Sequence, residues 1–216
     1  MNLIVFVEGN IGCGKSTLLH HLSEASATVV PEPVAGWCEH LRGAYGCDGA
    51  DTAAAWRFPM QMLSVCTRNE RLFAAIRGAQ TSDGDGTPRV VFVERSDRSA
   101  AIFSALTLER GAETDAFELL VDRYARAARD SWKGGRWREA TVYLRASAAT
   151  CARRVATRAR DGESGVDDAY LSALHDAHES VFGRTAECIV QCDTATSDEI
   201  AATVLRWVES VRTTRA

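Results

Sequence analysis

The chain has 216 residues, of which 46% are hydrophobic and 25% charged, with a net charge of −4. Those values exclude a disordered chain and are enough for one domain-sized core. The mildly acidic balance argues against a protein that grips nucleic acid through a basic face, and no apolar run approaches the ~20 residues of a membrane-spanning helix.

In chain order, the first element is "LIVFV" (3–7), read as a buried strand. The apolar start has no positive flank or small-residue cleavage site and runs straight into glycines, so it is not read as a signal peptide. "GNIGCGKS" from Gly9 to Ser16 then fits G-x-x-x-x-G-K-[ST], and the helical stretch "STLLHHLSE" follows it. A strand before and a helix behind are the context this phosphate loop requires. Backbone N–H groups of Gly9, Asn10, Ile11, Gly12, Cys13 and Gly14 converge on an anion at the helix N-terminus. Lys15 can reach the β/γ-phosphates of a nucleotide, and Ser16, with Thr17 beside it, is placed to ligate Mg²⁺.

"TVV" (28–30) reads as the second strand, and it ends in "PEPVAGW", where two prolines restrict the backbone around Glu32. "RVVFV" (89–93) is the third and opens into Glu94 and Arg95. "TVYL" (141–144) and "CIVQC" (188–192) are the fourth and fifth. Between them Phe117, Leu120, Val121 and Tyr124 keep helical spacing, as do Ile200, Val204, Val208 and Val211. "TSDGDGTP" (81–88) and "KGG" (133–135) read as surface turns. Continuous apolar strands alternating with helices predict an α/β fold over residues 1–216 as a single domain, with a five-stranded parallel sheet flanked by helices. Seven cysteines without CxxC pairs predict free thiols in a reducing, cytoplasmic compartment.

A phosphate loop does not name a reaction. Switch GTPases need a base-reading NKxD motif, which is absent, and large ATPases need more chain. A small kinase remains, with its acceptor at the carboxyl ends of the other strands. Taken alone, Glu32 reads as a solvated loop residue, and the alternative for Glu94–Arg95 is an ordinary ion pair at a strand end.

The ordered set GNIGCGKST, EPVAGW, WRFPMQ with Arg68 seven residues past Gln61, ERS and RRVATRARDGES resembles the deoxynucleoside kinase family over nearly the whole chain. That family includes deoxycytidine, deoxyguanosine, mitochondrial thymidine and insect multisubstrate enzymes. The resemblance implies a P-loop kinase that uses ATP and Mg²⁺ to phosphorylate the 5′-hydroxyl of a deoxynucleoside, in nucleotide salvage and as a homodimer. It implies Glu32 as general base, Glu94 with Ser16 on the Mg²⁺ side, and Arg95 beside the transferred phosphoryl group. Trp37 and Met60 would lie against the base, Gln61 would face its edge, and Ser64, Arg68 and Ala100 would surround it. Arg154, Arg158 and Arg160 belong to a short Arg-rich lid, about 153–165, and Glu163 would hold the sugar 3′-hydroxyl.

Three departures bear on the substrate. The position of the family's sugar-binding tyrosine is Ala50, which leaves Tyr45 as the substitute or none at all. Met60 replaces an aromatic residue, and Ala100 replaces the aspartate that partners the pocket arginine, so Arg68 must find another acceptor or stay hydrated. The expectation is a permissive enzyme. Two rival functions make different demands. A thymidylate-type nucleoside monophosphate kinase needs positive charge for an acceptor phosphate where this chain offers Glu32. A non-catalytic nucleotide-binding regulator would lack Glu32, Glu94 and Arg95.

Overall fold

The computed structural model describes residues 1–46, 50–81, 89–132 and 137–213. The turn expected at 133–135, all but Thr81 of the turn expected at 81–88, and positions 47–49 with Cys47 lie outside them. Five strands, β1 (Asn2–Glu8), β2 (Thr28–Val30), β3 (Val90–Glu94), β4 (Trp137–Arg145) and β5 (Cys188–Gln191), form one sheet in the order β2-β3-β1-β4-β5. Every pairing is parallel. β4 starts at Trp137, four residues before the apolar run, because Trp137–Ala140 pair with Asn2–Val5 of β1. Arg138 and Glu139 hid that extension from a hydrophobicity reading.

Both parities of β1 are buried, which explains its unbroken apolar run. Leu3, Val5 and Val7 pack with Leu18, Leu19 and Leu22 of α1 (Lys15–Glu24) and with Ile200, Val204 and Val208 of α8 (Ser197–Thr213). Ile4 and Phe6 face the opposite layer, against Leu72 and Ile76 of α3 (Ala50–Thr81) and Trp132 of α5 (Ala112–Trp132). Farther along that layer, Tyr143 of β4 packs with Ile102 of α4 (Asp97–Thr107) and with Leu171, Leu174 and Phe182 of α7 (Asp168–Phe182). No described helix is long and apolar enough to cross a membrane.

Two features position the crevice at the carboxyl ends of the strands. Val7 is in register with Glu94, so β3 delivers Glu94 and Arg95 beside the start of the glycine loop. The fully buried Glu8 carboxylate then accepts hydrogen bonds from Ser96 N (2.7 Å) and from the Ser99 hydroxyl, fixing the first turn of α4. On the other side, a 3₁₀ turn (34–37) and α2 (Cys38–Ala44) lie against α3. A Cβ at Gly43 would collide with the Trp56 indole. Gly43→Ala should therefore separate α2 from α3 and destabilise the protein by about 1–3 kcal/mol. An unchanged urea midpoint would remove Gly43 as the residue that seats α2.

Candidate active site

The glycine loop is shaped by close backbone approach. Gly9 has φ +143°, and a Cβ there would lie 2.6 Å from both Leu144 O and Cys13 Sγ. Gly12 has φ +81°, and a Cβ there would lie 2.7 Å from Cys151 O. Lys15, almost wholly buried, turns back so that Nζ donates to Asn10 O (2.7 Å) and Gly9 O (3.1 Å). The Asn10 side chain is structural: Oδ1 accepts from Ile11 N (2.7 Å), and Nδ2 donates to Leu171 O (2.8 Å), tying the loop to α7. Residues 11–18 line a cavity of about 410 Å³, while Gly9 and Asn10 stand behind it.

Glu32, Glu94 and Arg95 open into the same cavity. The Glu94 carboxylate spans the gap, accepting from Ser16 Oγ (2.9 Å) through Oε1 and from Glu32 N (3.2 Å) through Oε2. Arg95 Nη1 donates to Gly9 O (2.8 Å) and Nε to Glu32 Oε2 (3.4 Å), with Cζ 4.6 Å from the Phe103 ring centre. Burial opposes the Arg95 charge, but the carboxylates of Glu32, Glu8 and Glu94 outweigh it and hold its pKa above the ordinary arginine value. Arg95 also carries φ +66°, a conformation that costs a non-glycine residue on the order of 1–3 kcal/mol.

The remaining acceptor-side residues surround that centre. Trp37, Met60, Gln61, Ser64, Arg68 and Ala100 all line the cavity. Trp37 packs with Met60 and Leu41, and its Nε1 donates to Thr67 Oγ1 (3.1 Å). Gln61 Nε2 donates to Thr107 Oγ1 (3.1 Å), and Ser64 Oγ donates to Gln61 O (2.8 Å). Arg68, expected to find another acceptor or stay hydrated, finds one in Glu32: Nη1 lies 3.7 Å from Oε1, and Nε donates to Ser64 O (3.2 Å).

The segment expected to form a lid, about 153–165, starts within α6 (Ala148–Arg158), which turns at Ala159, φ +43°. Arg154 donates to Cys13 O (3.2 Å) and Cys192 O (2.7 Å), next to the glycine loop. Arg158 and Arg160 converge instead on Glu163, with Arg158 Nη2 at 2.6 Å and Arg160 Nη1 at 3.2 Å. Glu163 is buried beneath them and lines the cavity. Gly162 packs on Cys38 O and Leu41 of α2, so this segment rests against α2. Tyr45, at the end of α2, enters the cavity, and burial raises its phenol pKa against the influence of Arg95, so it stays protonated. The backbone of Ala50, the matching family position, starts α3.

The glycine loop, Glu32 and Glu94, and the arginines at 154, 158 and 160 thus line one cavity. Residues 5–207 match the sequence profile described as "Deoxynucleoside kinase". The chain belongs to the deoxynucleoside kinase family. The kinase is 29% identical to deoxycytidine kinase of Mus musculus over 194 residues, which cover 82% of this chain and 74% of the mouse enzyme. It is 32% identical to thymidine kinase of Ictalurid herpesvirus 1 over 203 residues, covering 91% and 81% of the two chains. Human deoxycytidine kinase is 28% identical over 194 residues, covering 82% and 74%. The kinase is a phosphotransferase that acts on deoxynucleosides, and nothing favours the thymidylate-kinase alternative.

Several cavity residues of the kinase escaped the sequence reading. Ala195, Ser197 and Ile200 line the end beyond Arg154, at the carboxyl end of β5, where the rule used for β2 and β3 applies equally. Arg57 stood inside WRFPMQ without a role assigned to it, and Phe103 and Thr107 lay outside every motif. His178, fully buried on α7, lies 3.4 Å from Arg95 Nη1 through Nε2 and 2.7 Å from Leu174 O through Nδ1. Burial, followed by the Arg95 charge, lowers its pKa to about 3, so the ring is neutral. Its Nδ1–H donates to Leu174 and its Nε2 accepts from Arg95, which makes His178 a rear support for that guanidinium. Unfolded, the same histidine binds a proton near pH 6.5. The stability it confers is therefore complete above that pH and is lost as pH falls through 6.5 toward 3. Between pH 7 and pH 5 the unchanged protein should lose about 2 kcal/mol more stability than His178→Gln. Parallel urea-unfolding curves for the two proteins at both pH values would contradict a buried neutral ring.

Proposed function

We propose that the kinase transfers the γ-phosphoryl group of ATP to the 5′-hydroxyl of several deoxyribonucleosides, supplying monophosphates for DNA-precursor salvage. The observation that carries this reading is the Glu32 carboxylate, joined to the glycine loop through Arg95 within one cavity. A carboxylate suits an uncharged alcohol and repels an acceptor phosphate. The cradle amides and Lys15 bind the donor phosphates, after Lys15 exchanges its carbonyl partners for them. Glu32 takes the 5′-hydroxyl proton. A carboxylate is a weak base for an alcohol, but the loose transition state of phosphoryl transfer requires little proton removal early on. Arg95 orients Glu32 and meets the charge on the transferred group.

Ser16 Oγ and Glu94 Oε1, 2.9 Å apart at the loop, are hard oxygen donors that suit Mg²⁺, an ion that keeps several waters and substrate phosphates as ligands. When bound it neutralises phosphate charge. Trp37 and Met60 hold the faces of the base and Gln61 its edge. Tyr45 and Glu163 are the candidates for the sugar 3′-hydroxyl, and Arg154, Arg158 and Arg160 for the donor phosphates. Base tolerance is supported by Ala100, which leaves room, and by Arg68, whose charge is turned toward Glu32. Among the described residues six cysteines are free, which fits a reducing cytoplasm. Pairing into a homodimer, through the helices that follow the base-binding segment, completes the reading.

Steady-state turnover with all four deoxynucleosides should fall within about a thousandfold in kcat/KM, and their monophosphates should be far poorer acceptors. A larger preference for one base, over about 4 kcal/mol, would end the claim of tolerance. Glu32→Gln should lower kcat by roughly a hundredfold or more. ATP binding, followed by calorimetry, should survive that change, and unaltered turnover would remove Glu32 from its role.

A further inference from the structure

The hydrogen-bond chain behind Gln61 has a fixed direction. Thr107 is the last residue of α4, and its hydroxyl donates to Phe103 O at 2.7 Å. That hydroxyl has a single proton, so toward Gln61 it offers only lone pairs. The Gln61 amide nitrogen, not its oxygen, must therefore face Thr107, as the 3.1 Å contact has it. Gln61 is nearly buried, and among the described residues no donor reaches its Oε1. The oxygen and the second N–H are left for whatever occupies the cavity, in an order across the pocket that Thr107 dictates.

We propose that Thr107 sets the base preference of the kinase by holding the Gln61 amide in one orientation. The inference rests on the reading of Gln61 as the residue that meets the base edge. Nucleobases fall into two classes by that edge. Cytosine and adenine present a ring-nitrogen acceptor beside an amino donor, while thymine and guanine present a ring N–H beside a carbonyl. The same Gln61 pairs with both classes only by turning its amide through half a revolution. Turning it would aim Oε1 at the lone pairs of Thr107 and replace a hydrogen bond with two facing oxygens. One class is therefore taken without rearrangement and the other at a disadvantage of roughly tenfold, the equivalent of one lost hydrogen bond. That factor is compatible with a tolerant pocket, since it biases the choice of base without excluding any.

The test compares kcat/KM for deoxycytidine and thymidine, bases of nearly equal size with opposed edges, in the unchanged kinase, Thr107→Val and Thr107→Ser. Valine keeps the shape and removes the hydroxyl, so the ratio of the two substrates should move about tenfold toward the one the unchanged kinase handles less well. Serine keeps the hydroxyl and should keep the ratio. Thr107→Ala serves the same comparison if valine disturbs α4. A merely structural role for Thr107 would lower both substrates together, and a ratio unmoved by valine or alanine would overturn the proposal. Absence of turnover on every nucleoside by the unchanged kinase would instead overturn the parent reading, and this one with it.

Discussion

The kinase depends on one buried guanidinium. Arg95 joins the two halves of the cavity, with one arm on the glycine loop at Gly9 O and the other on the Glu32 carboxylate. Burying a cation in that place is unfavourable unless opposite charge and hydrogen bonds surround it. Here Glu32, Glu8 and Glu94 provide the charge, and Phe103 and His178 close the remaining sides. The strained backbone of Arg95 persists because its own N–H donates to Val7 O (3.0 Å) and its successor, Ser96, is held by Glu8. Strand register makes all of this possible: with Val7 opposite Glu94, the ends of β1 and β3 must emerge side by side.

Charge balance explains the rest of the arrangement. Positive groups at the glycine loop and lid face negative groups on the acceptor wall, and each is occupied by a neighbour. Lys15 rests on loop carbonyls, Arg154 on Cys13 O and Cys192 O, and Arg158 and Arg160 on Glu163. Glu32 lies between Arg68 and Arg95. With alanine at position 100, Arg68 lies against the same carboxylate that Arg95 holds, so Glu32 faces two cations, a pairing no local reading could supply.

How much of this was legible depended on whether the signal was local. The five strands, their parallel arrangement and the phosphate loop followed from runs of residues whose meaning is set by their immediate neighbours, whereas Glu32, Glu94 and Arg95 became candidates only through the ordered set of motifs along the chain. An apolar run buried on both faces, and glycines at a fixed spacing before a lysine, have few other physical solutions. The extension of β4 to Trp137 was hidden because Arg138 and Glu139 pair through their backbone without an apolar pattern.

Only the tertiary structure decided which side chains share an environment. Tyr45 in the cavity, His178 behind Arg95, Thr107 behind Gln61 and Arg68 on Glu32 are contacts between segments 30 to 80 or more residues apart. The amino-acid sequence by itself determined a glycine loop of phosphate-binding form at Gly9–Ser16 and carboxylates at the ends of the neighbouring strands, because backbone conformation and local polarity are encoded residue by residue. It did not determine which partner each buried charge would take. That choice depends on distances across the sheet, and an arginine accepts whichever carboxylate or carbonyl the packed helices bring within reach.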